Sequence, residues 1–598
     1  MNPLRRAAPD PRVTGEIPPL LTPWAQTLDP DHPLPEYPRP QLRRRSYVNL
    51  NGRWDYAITA SSATPGAWDG QIVVPFSPEA PLSGVGRHLQ PGQYLHYRRT
   101  FTAPVDGDRV LLHFGAVDQW CRVQVNGQPV GTHEGGYLPF TIDISDALEP
   151  TENMLHVIVT DPSDTGTGAR GKQKLHHGGI WYTPQSGIWQ TVWLEAVPDI
   201  HVQDLRIDPD LSGFDLTVTT TGTVDVNVRV TLAEQEVAVC TMPGNKTTRI
   251  DIADPVWWTP ENPVLYDLQI TAGDDHVESY TGLRTFTVGA DTEGLPRLLL
   301  NGHPYFHAGV LDQGYWPDGL YTAPSDEALE YDITAMKDLG FTMLRKHIKI
   351  EPLRWYYHCD RLGMLVWQDA VNGGGTYRAP VIQIPAVTPL RLKDNRYTLF
   401  ARQDEAARQR WLRELDDMVG LLGNAVSIAV WVPFNEGWGQ FDATAVAQHL
   451  RTIDPSRPVD HASGWHDQGG GDFRSLHVYF RRFRIPGRGD HRVLALTEYG
   501  GYSHHITGHS ASGREFGYRR FSSMVALTRA FQRLHITQII PAIPRGLSAT
   551  VYTQLSDVED ETNGLLTYDR REHKMSPESV RAVITQLRLG PGIDTARS

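Results

Sequence analysis

The hydrophobic rhythm of this chain changes once, close to Leu298, and that change limits the folds open to it. Upstream, apolar residues recur at every second position in short runs broken by Gly, Asn and Asp, the pattern of half-buried antiparallel strands. Downstream, short continuous apolar runs alternate with stretches of helical period, the pattern of strands joined by helices. At 598 residues the chain is too long for one core; at roughly 100–200 residues per domain, three to five domains are expected.

Residues 1–45 are rich in proline (Pro18, Pro19, Pro23, Pro30, Pro33, Pro35, Pro38, Pro40) and poor in periodicity, so they read as an arm on the surface. Residues 46–198 carry short β runs at 71–75, 94–101, 109–114 and 121–125, and Asn126-Gly127 is a hairpin signal. This spells an antiparallel jelly-roll β-sandwich. Residues 199–290, with alternation at 214–220, 224–230 and 265–271, suit a small immunoglobulin-like sandwich.

From 291 to 598, eight strands are expected at 306–311, 341–346, 364–368, 426–432, 458–461, 475–479, 493–497 and 549–554. Helices are expected at 326–339, 403–422, 442–452 and 513–534, with Ser325 as an N-cap and Gly340 as a stop. Eight strands with helices over about 300 residues favour a C-terminal (β/α)8 TIM barrel. An open doubly wound sheet is the alternative, but no GxGxxG follows an early strand.

In a barrel, chemistry sits at the C-terminal ends of the strands. The fourth expected strand runs into Asn435-Glu436-Gly437, flanked by Trp431 and Trp438; the seventh runs into Thr497-Glu498-Tyr499. Two carboxyls facing each other across a barrel mouth are what glycoside hydrolysis needs: one protonates the leaving oxygen, the other attacks or activates water. The residues leave retention and inversion both open. The amide of Asn435 could hydrogen-bond a hydroxyl next to the reacting carbon. Any single Glu is usually a surface or salt-bridged residue; two that each end an apolar strand at a rim make that reading poor.

These stretches resemble glycoside hydrolase family 2, the β-galactosidase, β-glucuronidase and β-mannosidase group, over nearly the whole chain. The resemblance is carried by Asn49-Leu50-Asn51-Gly52-Arg53-Trp54, Gly135-Gly136-Tyr137-Leu138-Pro139-Phe140, Ser186-Gly187-Ile188-Trp189, Pro260-Glu261-Asn262-Pro263, Gly282-Leu283-Arg284, Leu300-Asn301-Gly302, and Cys359-Asp360 with Gly363. It implies the order jelly roll, immunoglobulin-like domain, barrel, and a retaining exo-glycosidase, β-galactosidase-like by default. Residue by residue, it implies Glu436 as acid/base, Glu498 as nucleophile, Arg345 as the rim arginine supporting the nucleophile's charge, and Tyr479 as the tyrosine bonded to it. A sandwich loop at 181–185 is implied near the substrate. His477, Asp312, Trp316, Asp369, Trp438 and Trp465 complete the set of candidate sugar contacts. The chain departs from the family where glucuronidases carry Asn-x-Lys: Glu561-Thr562-Asn563-Gly564 has no lysine. That disfavours a glucuronide, although Lys349 or Arg545 could meet an acidic sugar. An arabinoside, a uronide and a non-catalytic carbohydrate-binding protein are the other readings.

The formal charge of -13 argues against nucleic acid as a partner, and no apolar run reaches the ~18–20 residues of a membrane span. Three scattered cysteines give neither a disulfide framework nor a CxxC site, and no secretory signal opens the chain, so a cytoplasmic protein is expected. His303 and His307, four apart on a strand, and the adjacent His504-His505 do not suit one ion, and no HxH ends the first strand; neither metal nor cofactor is expected. Gly373-Gly374-Gly375 opens an irregular stretch to about 390, a lid or a plain surface insertion. Sandwich edges offer a surface for a homo-oligomer, with no residue that decides it.

Overall fold

The computed structural model describes residues 20–487 and 489–589. A four-stranded and a six-stranded antiparallel sheet form the first sandwich, their inner faces filled by Leu50, Trp54, Ile72, Leu95, Val123 and Val157. The hairpin of Trp120–Val125 and Gln128–Glu134 turns at Asn126-Gly127. Both turn residues have positive φ (51° and 77°), which Asn and Gly tolerate best. The second sandwich packs a three-stranded on a four-stranded sheet around Val218, Val228, Leu268 and Ile270.

Seven parallel strands then curl into one sheet. In chain order they are β1 (His307–Asp312), β2 (Met343–Lys346), β3 (Leu365–Asp369), β4 (Ile428–Val432), β5 (Phe473–Val478), β6 (Val493–Gly500) and β7 (Leu547–Thr553). They are joined in the order β4-β3-β2-β1-β7-β6-β5. Strands β1 to β4 and β7 are buried throughout, as parallel strands covered on both faces must be. The fifth expected strand, 458–461, forms no ladder. It closes the gap between β4 and β5 by single parallel bridges, Trp431 to Val459 and Asn435 to Ser463. Pro458 brings no N–H, and Asp472 Oδ2 takes the Val459 N–H at 2.8 Å.

Helix α1 (Asp326–Asp338) is capped by Ser325, whose side chain accepts from Ala328 N, and ends before Gly340 at φ +91°. Helix α2 (Leu353–Leu362) follows β2, α3 (Glu405–Leu422) precedes β4, and α4 (Ala443–Ile453) precedes the closing segment. The helix expected over 513–534 is shorter. Residues 513–522 form no helix, Arg519–Arg520 pairing instead with Tyr502–Ser503, and α5 (Met524–Leu534) starts after Ser523, whose hydroxyl accepts from Ala526 N.

Residues 1–19 lie outside the described residues; from 20 to 45 the arm is exposed or half-buried at most positions but is pinned by a few buried side chains. Thr22 is buried and bonds Asp318 in the barrel; Arg39 and Arg44 both reach Glu195 in the first sandwich. Arg44 also pairs bidentately with Asp275 in the second sandwich (2.9 and 2.8 Å). Proline-rich sequence signals the absence of regular structure, not exposure, and guanidinium groups can be buried where carboxylates meet them. Among the described residues no helix is long and apolar enough to cross a membrane.

Candidate active site

Past β4 the chain leaves the sheet through Pro433-Phe434 and turns at Asn435–Trp438, where Trp438 N donates to Asn435 O at 2.9 Å. Glu436 sits in this turn with φ +49°, a left-handed conformation that a non-glycine residue adopts only under constraint. The constraint is the closing segment: Glu436 N donates to Ser463 O at 3.0 Å. Glu498 lies inside β6, where the register against β7 slips between Leu496 and Tyr499, so its side chain is delivered to the same mouth. One carboxylate oxygen of each, and a ring nitrogen of His477, lie within 4.8 Å of one another. Both glutamates are buried, at 7% and 5% exposure.

Arg345, at the end of β2, organises the Glu498 side. Its Nη1 donates to Glu498 Oε1 at 3.3 Å and to Thr497 O at 3.1 Å; Nη2 donates to Asn435 Oδ1 at 2.9 Å. Asp369 holds it from behind through Nε (2.9 Å) and Nη2 (3.1 Å), and also binds His347 Nδ1 at 2.8 Å. Asp369 is therefore a support for Arg345. The Tyr479 hydroxyl donates to the other oxygen of Glu498, and its ring stacks on Tyr518 at 3.7 Å. His477 Nδ1 is 2.7 Å from Glu436 Oε1 and 3.6 Å from Glu498 Oε2. Among the described residues this trio is the one group with metal-ligand chemistry; its 2.7 Å contact is that of a hydrogen bond, so the three are read as sharing protons.

Burial pushes the Glu436 carboxyl up to about 8, with Lys172 and Arg345 pulling the other way. Burial also raises Glu498, opposed by His477 and Arg345, and draws the His477 imidazole down to about 4. At neutral pH Glu436 therefore carries a proton that a leaving group can take, and His477 is neutral. Arg345 stays charged: burial works against it, but Asp369 and Glu498 outweigh that. Asn435 Nδ2 and Trp438 Nε1 are buried donors with no partner among the described residues, an arrangement that asks for acceptors such as sugar hydroxyls.

The other candidates fall elsewhere. Asp312 accepts from Lys346 Nζ (2.7 Å) and Gly314 N (2.9 Å), and is the first member of a closed set with Glu351 and Lys349. Lys349 Nζ is spent on Gly314 O (2.6 Å), Tyr321 O (2.9 Å) and Glu351 (2.8 Å), so it cannot reach an acidic sugar. Arg545 is exposed just ahead of β7, at the opposite end of the barrel from the carboxylates. Trp316 lies under Arg570 (4.1 Å) with Trp24 against its edge, and is not brought to the pair. Trp465 is half-buried, edge-on to His477 at 6.2 Å.

Of the residues that the first sandwich sends across, the loop at 181–185 was expected near the substrate from the resemblance, whereas Lys172 was not. Lys172 Nζ is 3.8 Å from Glu561 Oε2 and 5.7 Å from the Trp438 ring. The Tyr182 hydroxyl donates to Glu561, and Trp181 packs on Trp438 (5.2 Å) and Tyr377 (6.0 Å). Glu561 stands in the tetrapeptide inspected for a lysine; nothing local marks Lys172, about 390 residues upstream of its partner. Ser463 and Tyr518 also went unmarked: Ser463 meets Glu436 N, His477 and Thr497, and Tyr518 stacks on Tyr479.

Three family descriptions match in chain order: a galactose-binding domain-like glycosyl hydrolase 2 domain over residues 90–189, glycosyl hydrolases family 2 over 200–284, and the family 2 TIM barrel domain over 297–484. The last includes Glu436 and stops before Glu498. A β-galactosidase of Enterobacter cloacae is 28% identical over 377 residues, 58% of this chain and 33% of that one. A putative β-glucuronidase of Formosa agariphila is 30% identical over 283 residues, 43% of this chain and 32% of that one. The chain thus spans about a third of the length of the curated relatives it matches. The fold is similar to that of a β-D-glucuronidase from Dictyoglomus thermophilum (TM-score 0.72, 17% identity, 92% and 98% of the two chains). It is also similar to that of a galacturonate-bound β-galacturonidase from Eisenbergiella tayi (0.68, 18%, 92% and 99%). With its three domains matched in order over most of its length, the chain belongs to glycoside hydrolase family 2.

Proposed function

We propose that the chain is a retaining exo-glycosidase with Glu498 as nucleophile and Glu436 as acid/base, releasing a terminal β-linked neutral sugar, in the first instance a β-galactoside. The observation that carries this reading is the separation of the carboxylate oxygens, within 4.8 Å. For one oxygen of each carboxylate, this closeness supports the short spacing of direct attack, roughly 5–5.5 Å, over the roughly 6.5–9.5 Å that inversion uses to seat a water. Glu498 attacks the anomeric carbon while Glu436 gives its proton to the departing oxygen; a water then resolves the glycosyl ester with Glu436 as base. Arg345 and the Tyr479 hydroxyl keep Glu498 ionised until it attacks, and Asn435 Nδ2 is the free donor beside it.

The neutral sugar follows from charge matching around the mouth. Arg345 answers to Asp369 and Glu498, Lys346 and Lys349 to Asp312 and Glu351, and Lys172 to Glu561. A sugar carboxylate would have to displace one of these partners. The test is nitrophenol release from aryl β-galactoside, glucoside, mannoside, glucuronide, galacturonide, xyloside and both arabinoside ring forms, beside a Glu498→Gly variant. Turnover of the galactoside, lost in the variant and returned by azide with inverted product, is the expected result. Turnover of a uronide alone would overturn the neutral sugar, and binding without turnover across the panel would leave a carbohydrate-binding protein.

A further inference from the structure

The acid/base carboxyl is held by a single side chain. Among the described residues Glu436 makes one side-chain hydrogen bond, from Oε1 to His477 Nδ1, leaving Oε2 for a substrate. The same nitrogen faces Glu498 Oε2 at 3.6 Å, so one edge of one imidazole looks at both carboxylates. The opposite nitrogen, Nε2, is 3.2 Å from the Ser463 hydroxyl, which is itself 3.0 Å from Thr497 Oγ1. The ring cannot tilt away: a Cβ on Gly464 would meet its atoms at 2.6–2.7 Å, and Trp465 stands edge-on to it.

The hydroxyls behind the ring fix which nitrogen carries its proton. Ser463 donates to Nε2, with the Thr497 hydroxyl 3.0 Å behind it, so the neutral imidazole keeps its proton on Nδ1. Nδ1–H then donates to Glu436 Oε1, and that bond stands whether Glu436 carries its own proton on Oε2 or is ionised. The reaction passes through both conditions. In the first step the bond to the aglycone breaks, the proton on Glu436 Oε2 leaves with that oxygen, and the negative charge moves from Glu498, now an ester, to Glu436.

Resting on the reading of Glu436 and Glu498 above, we propose that His477 is the positioning residue of the acid/base, its Nδ1–H holding the Glu436 carboxyl against the nucleophile while the Ser463 hydroxyl, backed by Thr497, keeps the ring in that tautomer. A residue that serves proton delivery matters in proportion to how badly the leaving group needs a proton. The experiment compares phenyl and dinitrophenyl β-glycosides of the sugar found with the aryl panel, in the wild type, His477→Phe and His477→Asn. His477→Phe is expected to lower kcat/KM on the phenyl glycoside about 30–100-fold and on the dinitrophenyl glycoside less than about threefold. The basic limb of the phenyl pH profile should move with it. His477→Asn, whose amide nitrogen occupies the place of Nδ1, should restore the phenyl rate to within about threefold of wild type. Should His477→Phe not fold, Ser463→Ala carries the same comparison, with about threefold expected on the phenyl glycoside alone.

Equal losses on both leaving groups, or none on either, would overturn the proposal. No turnover of the dinitrophenyl glycoside by wild type would instead overturn the glycosidase reading on which it rests.

Discussion

Two sides of one barrel rim carry acidic residues at comparable strand ends and treat them in opposite ways. At the end of β1 and β2, Asp312, Lys346, Glu351 and Lys349 form a buried set in which each charge has its opposite at 2.7–2.8 Å. Asp312 is held below the usual carboxylate value, Lys346 outweighing the burial that would raise it. At the ends of β4 and β6, burial wins: Glu436 is driven up to about 8, and Glu498 is raised although Arg345 touches it. The Asn435 amide and the Trp438 indole there are left with unused donors. A strand-end acid closed by a lysine serves the fold, and one left short of partners is poised for chemistry.

That contrast can be broken on either side. Glu498→Gly should lower kcat by about 10⁴-fold or more with the fold intact, since the nucleophile of the proposed mechanism is lost; steady-state rates and a melting curve check both halves. Lys346→Met should do the reverse. Asp312 is left buried without its cation while Glu351 keeps Lys349, so stability should fall by about 3–5 kcal/mol, with kcat of the folded fraction within a few-fold; denaturant unfolding and active-site titration separate the two. Asn435→Ala removes one donor to the sugar and one acceptor of Arg345, and about 10–100-fold in kcat/KM is expected.

The pH dependence sharpens the comparison. With Glu436 needed protonated, kcat/KM should fall above about 8, tenfold per unit, and the acid limb, set by Glu498, should lie above the ordinary carboxylate range. The same shift acts on stability: between the ordinary glutamate value and about 8 the folded state keeps a proton that the unfolded chain has lost, so raising pH through this window destabilises the fold. Glu436→Gln should therefore melt a few degrees above wild type at pH 8 and level with it at pH 4. The smallest effect is expected from Trp316→Phe, under about threefold in kcat/KM, because Trp316 packs under Arg570 and away from the pair.

The parts of this molecule that were legible in its sequence are those whose cause is local. Apolar runs ending in Asn435-Glu436 and Glu498, the Asn126-Gly127 turn and the Ser325 cap each declare themselves within a few residues. The helix expected over 513–534 failed locally too: its true cap, Ser523, follows Arg519-Arg520-Phe521-Ser522, whose residue types carry helical period as readily as loop. The segment at 458–461 reads as a strand by composition, but whether it forms a ladder is settled by Asp472, which takes the Val459 N–H. The cross-domain residues were illegible because their partners are hundreds of positions away. Lys172 meets Glu561 and Arg44 meets Asp275 only after three domains have folded on one another. Asp312 and Trp316 were taken for sugar contacts because strand ends carry function; which strand ends do is decided by the counter-charge opposite.

The left-handed backbone at Glu436 also bears on how such a chain ages. The turn there favours glycine or asparagine, and on the proposed mechanism the carboxyl's use is what keeps a glutamate there at a conformational cost of order 1–3 kcal/mol. Once a gene copy is released from that use, drift at this codon is biased: glycine or asparagine relieves the backbone, while glutamine, chemically nearer, keeps the strain. Retired copies of this barrel should therefore be recognised by Asn-Gly-Gly or Asn-Asn-Gly where Asn435-Glu436-Gly437 stands, ahead of any change at Glu498, whose strand conformation exerts no such pull.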